Sequence, residues 1–566
     1  MNMKKRIFAA VLTICMLIVT LSLAGCGGEE VVTHNDAKSD ALSYEDAVVE
    51  LDTFYSKIKP KTREARLDVG IDDSSVASSL ASIDTFPITV KGKGEINIEI
   101  AAATEFSASA PDDWINVVAE RFNRSGQTIN GKTVTVSVRK ITSGEVVTYI
   151  TDGEYRPECY IPSNDAWGQM LDAKGYKTIT VANRIAGNTA GILMKKTTND
   201  SFVAKYGEVN VENVLQAAIA GDLVFAYTNP YTSSTGLNIL SAMLYSFDNE
   251  NPLSDTAANK LIEYQLNAPT AAYTTSVLKS SAAKGIIDAM VMEEQAYINT
   301  PELRDYVFTP AGIRHDHPVY TFEYVSEEDR QAVKLFADYC LSKENQDLAT
   351  EKGFNRHDEY VSQPNGMDGN GYLAAQRVWK QNKNGGRPVV AVFVADISGS
   401  MDGSRINSLK ESLLNTMQYI DGSNYVGLVS YDDEVFINLP IRQFDDKQRA
   451  YFSGAVKDLQ TGGNTATYDA TLVGMKMLLE ASKEIPDAKL MLFVLSDGAQ
   501  NCGYNLNRVT PIVGGLSIPV YTIGYEMSSG DKAELQKLSA VNEAACIDAD
   551  VEGIVNDLRN LFNVNM

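Results

Sequence analysis

The chain has 566 residues, which exceeds the size of one ordinary hydrophobic core and predicts two or three domains. Its composition is that of a soluble globular protein, and a net charge of −23 argues against binding to nucleic acid or to an anionic surface. The same charge makes the binding of divalent cations electrostatically easy, while four histidines and no Cys/His cluster argue against a zinc site.

The first 26 residues have the pattern of a targeting segment. Three basic residues at positions 4–6 are followed by an apolar stretch, and the segment closes on Leu-Ala-Gly-Cys. This ending resembles the lipobox of bacterial lipoproteins, which implies that Cys26 is lipidated and holds the protein at the extracellular face of the cell membrane. An uncleaved transmembrane anchor and a plain signal peptide are the alternatives. Every version places the rest of the chain outside the cytoplasmic membrane.

Residues 27–92 are predicted to be a tether that is partly irregular. The stretch GGEEVVTHNDAKSD is polar and begins with glycines, as expected of a spacer that lifts a domain off a surface. Apolar spacing predicts one helix over Tyr44–Ile58, and a Ser/Asp-rich stretch over residues 68–85 predicts irregular structure.

Residues 93–360 alternate short apolar strands with amphipathic helices, and hydroxyl-rich loops follow several of the strands. In residues 228–240, TNPYTSSTGLNIL, an apolar strand breaks into such a loop and opens a helix. The backbone N–H groups of helix N-termini, together with Ser and Thr hydroxyls, bind anions or polar ligands. The candidate ligand-binding residues are Ser107, Ser143, Ser163, Thr232, Ser233, Ser234 and Thr235.

Three stretches of this region resemble the type 2 extracellular solute-binding proteins of ABC importers. They are TNPYTSSTGLNIL at 228–240, GILMKK at 191–196 and ENQDLATEKGF at 344–354. The resemblance implies two lobes, with a ligand-holding loop in the second lobe, a crossing strand between the lobes and a closing helix. The ligand would be a small polar or anionic solute. The alternative is that the Ser/Thr loops only cap helices.

Residues 361–386 contain a short helix with Gly/Asn-rich ends and are predicted to be an interdomain linker. Residues 387–566, the last domain, alternate apolar strands with amphipathic helices, which predicts a doubly wound, Rossmann-like parallel sheet covered on both faces. Its first strand is the apolar run at 389–394, which shows no alternation and suits a strand buried on both faces.

Two apolar strands of the last domain each end in an aspartate, Asp396 and Asp497. The first aspartate begins the sequence DISGS, which contains Ser398 and Ser400, and a Gly-rich loop between the two strands carries Thr465. Because neighbouring parallel strands end at the same edge of a sheet, these five side chains are predicted to converge there. An all-oxygen set with only two carboxylates favours Mg²⁺ or Mn²⁺ over a tight Ca²⁺ cage.

This constellation resembles the metal-ion-dependent adhesion site of the von Willebrand factor A (VWA) domain, in the order and approximate spacing of that family. The resemblance implies that Ser398, Ser400 and Thr465 supply hydroxyls and that Asp396 and Asp497 bind the cation directly or through water. It also implies that a carboxylate of a protein partner fills the open position on the cation. An ordinary doubly wound domain with a Ser/Asp helix cap is the alternative.

The sequence therefore predicts an α/β binding protein, in which a two-lobe periplasmic-binding-protein-like domain precedes a doubly wound VWA domain. The alternative function is a solute-capture receptor of an ABC importer with an accessory VWA domain. An enzyme is not expected, because the sequence has no Gly-x-Ser-x-Gly elbow, no Gly-Lys-Thr/Ser phosphate loop and no metalloprotease His pair.

The cysteines outside the targeting segment fall into two pairs. Cys159 and Cys340 lie in the middle region, and Cys502 and Cys546 lie in the last domain. An oxidising compartment and an expected position on neighbouring segments of one sheet predict a disulfide between Cys502 and Cys546. Partly buried free thiols are the alternative for both pairs.

Overall fold

A computed structural model describes residues 41–68 and 80–566, apart from residues 270, 273, 365, 499, 526, 543, 545 and 550–553. The predicted targeting segment and Cys26 lie outside the described residues. Within them, three β-sheets are flanked by helices, which confirms the predicted α/β class. In this part of the chain, no helix is both long enough and apolar enough to span a membrane.

The strands and helices are numbered here along the chain. The strands are β1 (Lys61–Thr62), β2 (Ile88–Val90), β3 (Ile96–Ala102), β4 (Thr128–Ile129), β5 (Lys132–Lys140), β6 (Cys159–Ile161), β7 (Thr178–Ala182), β8 (Thr189–Lys195), β9 (Phe225–Ala226), β10 (Ala289–Glu293), β11 (Tyr306–Arg314), β12 (Val319–Phe322), β13 (Val389–Asp396), β14 (Tyr425–Tyr431), β15 (Val435–Gln443), β16 (Lys489–Ser496), β17 (Val520–Tyr525) and β18 (Cys546–Ala549). The helices are α1 (Tyr44–Ile58), α2 (Thr104–Ser107), α3 (Trp114–Arg124), α4 (Ser143–Thr151), α5 (Ala166–Ala173), α6 (Lys196–Tyr206), α7 (Val211–Ile219), α8 (Ser234–Phe247), α9 (Asp255–Asn267), α10 (Thr275–Ala283), α11 (Glu294–Ile298), α12 (Glu327–Cys340), α13 (Lys343–Glu351), α14 (Gly369–Asn382), α15 (Ser404–Thr416), α16 (Asp446–Lys457), α17 (Thr467–Glu484), α18 (Leu506–Leu516), α19 (Ser529–Ala540) and α20 (Ile554–Asn565).

The first lobe is built on a sheet with strand order β2-β5-β3-β6-β12-β7. β3 pairs in parallel with both β5 and β6, and the three strands end together because Ala102 lies opposite Lys140 and Ile161. The apolar side chains of β3 and β5 pack against α3 and α12. The hydroxyl-rich loops that follow these strands therefore leave the first lobe at one edge.

The second lobe is built on a sheet with strand order β11-β8-β10-β9. The GILMKK segment, predicted to cross between the lobes, instead lies inside this sheet as part of β8, antiparallel to both β10 and β11. The crossing itself is made by residues 183–188 just before β8. The segment predicted as a closing helix contains α13, which packs back on the first lobe, where the Trp114 indole donates to the carbonyl of Asn345 across 3.0 Å.

The predicted linker differs from an exposed spacer, because its helix α14 is packed against both lobes. Tyr372 and Trp379 are buried on it. Gly369 lies against the backbone of Gln169 in α5 of the first lobe, and the Trp379 indole donates to the hydroxyl of Tyr227 in the second lobe across 2.7 Å. The helix thus belongs to the core that the two lobes share.

The last domain contains a sheet with strand order β1-β15-β14-β13-β16-β17-β18. β13 is central and pairs in parallel with β14 and β16, while β14 and β15 form an antiparallel hairpin. Every residue of β13 is buried, as its apolar run predicted. Val390, Val392 and Val394 pack into the core on one face of the sheet, and the alternate residues of β13 pack into the core on the other face.

The segment at residues 41–68 is not the tether that the sequence predicted. The predicted helix α1 forms, but its apolar stripe of Ala47, Leu51 and Phe54 is buried in the core of the last domain. β1 then adds an edge strand to the same sheet, parallel to β15. An amphipathic helix must bury its apolar face. The last domain provides the apolar surface that covers this face, although it lies more than 300 residues further along the sequence.

Candidate metal and solute sites

The predicted metal-site residues lie at the carboxyl edge of the last domain's sheet. β13 ends at Asp396, and the neighbouring parallel strand β16 ends at Ser496, directly before Asp497. The loops after the two strands therefore start side by side.

Asp396 is held in a fixed orientation by hydrogen bonds to both carboxylate oxygens. The Ser398 amide donates to Oδ1 across 2.8 Å. The Ser496 and Tyr431 hydroxyls donate to Oδ2 across 2.7 and 3.2 Å. Burial raises the pKa of Asp396 to about 6, although the hydrogen bonds from Ser398 and Ser496 act in the opposite direction. The sequence did not point to Ser496 or Tyr431, although each is the last residue of a strand that pairs with β13.

The two serines of the DISGS loop connect Asp396 to Asp497. The Ser398 and Ser400 hydroxyl oxygens are 3.1 Å apart, and the Ser400 hydroxyl donates to Asp497 Oδ1 across 3.0 Å. In an octahedron with metal–oxygen bonds of about 2.1 Å, neighbouring ligand oxygens are about 3.0 Å apart. Both separations match this value, so the Ser400 hydroxyl and its two neighbours, Ser398 and Asp497, fit adjacent positions on such a cation.

Arg405 in α15 also belongs to this cluster, and the sequence analysis missed it. Its guanidinium donates to Asp497 Oδ2 across 3.0 Å and to the Ser400 carbonyl across 3.1 Å. The Asp497 side chain is only 4% exposed, so the guanidinium is a positive charge held close to a carboxylate that is shielded from water. A cation bound by Asp497 would have to share this carboxylate with Arg405.

Thr465 is brought to the same edge by the Gly-rich loop, and its position is set by backbone contacts. The Gly399 amide donates to the Gly463 carbonyl, which joins this loop to the DISGS loop. The Thr465 amide donates to the Asn501 side chain across 2.8 Å, and Thr465 itself is buried. The Asp433 carboxylate also reaches this loop and accepts from the Asn464 amide across 3.3 Å. The described residues contain no cluster of three or more His, Cys, Asp or Glu side chains that could hold a metal.

The predicted disulfide between Cys502 and Cys546 is not present, because Cys502 is a free thiol. The two residues lie in different parts of the domain. The Cys502 amide contacts the Thr465 carbonyl in the loops at the carboxyl edge, whereas Cys546 begins β18, two strands away from β16. Cys159 and Cys340 are buried thiols in the first lobe, and burial raises the pKa of both.

A second candidate site is a cavity of about 410 Å³ between the two lobes. Hydroxyl groups from both lobes dominate its wall, together with Lys140. Three helices of nine or more residues, α4, α8 and α10, begin at this wall with Thr142, Ser233 and Thr274 as their N-caps. Convergent helix N-termini favour an anionic or polar ligand. Of the predicted residues, the following line the cavity: Ser143, Ser163, Thr232, Ser233, Ser234 and Thr235.

Ser107 is the predicted ligand-binding residue that the structure keeps away from the cavity. It is fully buried, and its hydroxyl donates to the carbonyls of Ala102 and Ala103 across 3.2 and 2.7 Å. Ser107 ends the short helix α2, so its side chain turns back onto the backbone of β3 rather than toward the lobe interface. Thr104 and Glu105, at the start of that helix, line the cavity instead.

Two buried carboxylates at the cavity wall are paired with histidines. Glu105 Oε1 lies 3.1 Å from His317 Nε2, and Glu293 Oε1 lies 2.6 Å from His315 Nδ1. Burial alone would raise the pKa of Glu105 and lower that of His317, but the hydrogen bond and opposite charge within the pair reverse both shifts.

For the other pair, burial raises the pKa of Glu293 and lowers that of His315 to about 3. Each buried carboxylate at the cavity wall therefore has a histidine within hydrogen-bonding distance.

The closed position of the two lobes is held by direct contacts beside this cavity. The Gly144 amide in α4 donates to the Thr232 carbonyl of the second lobe across 3.2 Å. The Trp167 indole in α5 donates to the Ser234 hydroxyl across 2.8 Å. A Cβ atom at position 144 would lie 2.0 Å from the Tyr231 carbonyl oxygen, so only glycine permits this approach.

Comparisons with known proteins identify both domains. The family model described as bacterial extracellular solute-binding protein matches residues 104–355, and the model for the von Willebrand factor type A domain matches residues 391–560. The chain therefore combines an extracellular solute-binding domain with a C-terminal VWA domain, and these two domain types are binding and adhesion modules.

Among curated proteins, the inter-alpha-trypsin inhibitor heavy chain H3 of Bos taurus is 30% identical over 154 residues, which is 25% of this chain and 17% of that protein. The chain thus spans about a sixth of the length of that relative. Similar solved structures include a von Willebrand factor type A protein from Catenulispora acidiphila, with 19% identity, 31% of this chain and 42% of that chain covered, and a TM-score of 0.28. Another is the sulfate-binding protein of Mycobacterium tuberculosis, with 12% identity and a TM-score of 0.35. The match covers 51% of this chain and 92% of that chain.

Proposed function

We propose that this protein is an extracellular, membrane-anchored binding protein whose VWA domain binds a protein partner through a divalent cation. The observation that carries the proposal is the network of Asp396, Ser398, Ser400 and Asp497 at the carboxyl edge of the sheet. The proposed domains are residues 93–360 for the solute-binding module and 387–566 for the VWA domain, and the two family matches fall inside these bounds.

The cation would be Mg²⁺ or Mn²⁺, held by the Ser398 and Ser400 hydroxyls and by Asp497, with Thr465 and Asp396 completing the set directly or through water. Both ions accept oxygen ligands and keep exchangeable positions, which is the property a partner carboxylate would use. When bound, the cation supplies a concentrated positive charge in a chain whose net charge is −23. The residues of this chain orient the oxygens, and no enzymatic step is proposed.

The solute-binding module would hold a small polar or anionic solute in the cavity between the lobes. Support comes from the hydroxyl-lined wall, from Lys140 and from the three helix N-termini that meet there. The pairing of Glu105 with His317 offsets one negative charge at the wall, and burial raises the pKa of Glu293, which favours its uncharged form.

Anchoring through a lipid on Cys26 is the part of the proposal that rests on the sequence alone. Mass spectrometry of the mature protein should show a lipid-modified cysteine as its first residue. A Cys26→Ala variant should be released or should keep its leader. An unmodified N-terminus at another position in the natural protein would reject the lipid anchor.

Thermal unfolding tests the proposed metal binding without knowledge of the partner. A cation at 100 times its dissociation constant stabilises the folded state by about 2.7 kcal/mol, so the unfolding transition of the VWA domain should move upward with Mg²⁺ or Mn²⁺ and return with EDTA. The Ser398→Ala/Ser400→Ala variant should lose the shift. An equal shift in both proteins would show that the cation binds elsewhere.

The alternative function is a solute-capture receptor that delivers its ligand to an importer, with the VWA domain as an accessory. The closed inter-lobe cavity is the observation that favours it. Genes for a permease and an ATPase beside this one would support the receptor, and so would tight binding of one member of a panel of small oxyanions in the same melting assay. Tight binding of such a solute, together with no shift in unfolding temperature with Mg²⁺ or Mn²⁺, would favour the receptor over the main proposal.

A further inference from the structure

The VWA domain contacts both lobes of the solute-binding domain through one helix, α20. Arg559 of α20 forms a buried ion pair with Glu145 in the first turn of α4, which belongs to the first lobe. The two side chains are only 7% and 3% exposed, so the pair is shielded from water. Val564 of the same helix is buried in the apolar core that the two lobes share, and Leu561 and Val564 line one side of a cavity of about 260 Å³ whose other side includes Val277 of the second lobe.

The helix that α20 pairs with, α4, and the helix that faces α20 across the 260 Å³ cavity, α10, both begin at the solute cavity. In α4, Glu145 comes after Ser143 and Gly144. Ser143 lines the solute cavity, and the Gly144 amide donates to the Thr232 carbonyl of the second lobe. In the second lobe, Thr275 and Ser276 at the start of α10 line the solute cavity. Further along α10, Leu278 and Ser281 line the cavity that faces the VWA domain. One rigid helix from each lobe therefore runs from the solute site to the VWA domain.

The linker helix α14 holds α20 in this position from the other side. Lys383 donates to the carbonyl of Val564 across 2.8 Å, and Lys380 donates to the carbonyls of Asn563 and Tyr419 across 3.3 and 3.1 Å. The bonds to Asn563 and Val564 satisfy carbonyl groups in the last turn of α20, where the helix itself offers no partner. On the same linker helix, the Gln376 amide donates to the Pro230 carbonyl beside the 228–235 loop. α20 thus cannot follow one lobe without straining its contacts to the other.

From this geometry we infer that the solute cleft and the VWA domain are coupled, so that closure of the lobes and docking of α20 stabilise each other. Opening of the cleft moves α4 away from the second lobe, and α20 cannot then keep both the Glu145–Arg559 ion pair and the place of Val564 in the core that the two lobes share. A solute that closes the lobes therefore fixes the VWA domain in the docked position, and in the open state the domain is released from one lobe. The inference deepens the proposed function, since it makes the solute a regulator of how the VWA domain is presented.

Hydrogen–deuterium exchange on the full chain tests the coupling without any solute. The variant is Arg559→Gln, and the matched control is Arg66→Gln, which removes an exposed ion pair with Asp458 on the same domain. Coupling free energies between sites typically correspond to about 5- to 150-fold changes, so Arg559→Gln should speed amide exchange in residues 228–235 at least about fivefold. Those residues lie in the second lobe, and the Arg559 ion pair is with the first.

The reciprocal variant is Trp167→Phe, which removes the hydrogen bond to Ser234 across the cleft. It should speed exchange in α20, because linkage between two sites is mutual. Glu145→Gln guards against a folding defect in Arg559→Gln, and each variant is compared only when its far-ultraviolet circular dichroism matches that of the natural protein. Faster exchange confined to α4 and α20 in the two ion-pair variants, with residues 228–235 unchanged, would overturn the coupling. Neither outcome depends on whether the VWA domain binds a metal, so the two proposals fail separately.

Discussion

The Ser400 hydroxyl donates to Asp497 Oδ1 across 3.0 Å, and this bond joins the loops that follow two neighbouring parallel strands. Ser400 follows β13 and Asp497 follows β16, with almost a hundred residues between them. The bond exists because both strands run in the same direction and end at the same edge of the sheet. It brings a neutral donor to a carboxylate that is nearly fully buried and also paired with Arg405.

The Arg405→Gln variant should bind Mn²⁺ and Mg²⁺ more tightly than the natural protein. The Arg405 guanidinium lies 3.0 Å from Asp497 Oδ2, and removing this charge leaves the carboxylate available to the cation. Like charges about 6 Å apart repel by about 3 kcal/mol at an effective dielectric constant near 20, and solvent screening at this partly exposed side chain reduces that value. We expect a five- to tenfold gain in affinity by isothermal titration calorimetry, on the order of 1 kcal/mol. Arg442→Gln, at the amino edge of the same sheet, is the control, and an unchanged affinity in Arg405→Gln would contradict this role.

The position of the metal site could be predicted from the sequence because its causes are local. An apolar run without alternation predicts a central parallel strand, and β13 is that strand, buried at every residue. The family order of Asp396, Ser398, Ser400, Thr465 and Asp497 then indicates one edge. Arg405 could not be predicted in the same way, because its contact with Asp497 depends on how α15 leaves the loop and not on any spacing in the sequence.

Other features depend on contacts between distant segments, which a single sequence does not reveal. The spacing of apolar residues predicts helix α1, yet its partner is the last domain and not the segment that follows it. Glu293 ends β10 and His315 directly follows β11, and the two meet at the cavity wall although neither has a motif around it. Ser107 has the right residue type and a nearby position, but its hydroxyl donates to the carbonyl of Ala102 at the end of β3 and to that of Ala103.

Replacement of Phe393 by alanine should strongly destabilise the VWA domain. Phe393 is fully buried in β13, with its ring centroid 5.2 Å from those of both Phe493 and Phe562. Removal of a buried phenylalanine side chain typically costs about 3–5 kcal/mol, because it leaves a cavity as well as losing burial. Differential scanning calorimetry should show a lower transition for this domain. Val361→Ala, at a position 69% exposed, should leave both transitions nearly unchanged, and a similar effect of the two variants would contradict the assigned core.

Gly144→Ala should prevent full closure of the two lobes. Its Cβ atom would lie 2.0 Å from the Tyr231 carbonyl oxygen and 2.6 Å from Thr232 Cα, and both of these are backbone atoms that cannot turn aside. Small-angle X-ray scattering should therefore give a larger radius of gyration than for the natural protein. Gly530→Ala is the control, since its nearest neighbour would be 3.9 Å away. Superimposable scattering curves for the two variants would show that the cleft does not close through this contact.

The solute-binding domain should lose stability in acid partly through His315. Burial lowers the pKa of His315 to about 3 in the folded protein, whereas an unfolded histidine has a pKa near 6.5. Between these values the unfolded chain binds the additional proton, so stability falls as the pH drops from about 6.5 toward 3, by up to about 1.4 kcal/mol per pH unit. Urea unfolding at several pH values should show a steeper acid loss for the natural protein than for His315→Gln. Equal pH slopes in the two proteins would show that His315 is not held neutral, and Glu293 is the neighbour to replace next.

The proposed cation site is tested most directly by calorimetric titration of Mg²⁺ and Mn²⁺ into the natural protein and into Asp396→Ala. The exposed Asp446→Ala on the same domain is the matched control. We expect one saturable cation site in the natural protein and in Asp446→Ala, and no measurable binding in Asp396→Ala with its circular dichroism spectrum preserved. Equal binding by all three proteins, or no binding by the natural protein, would contradict a metal-dependent adhesion site at this edge of the sheet.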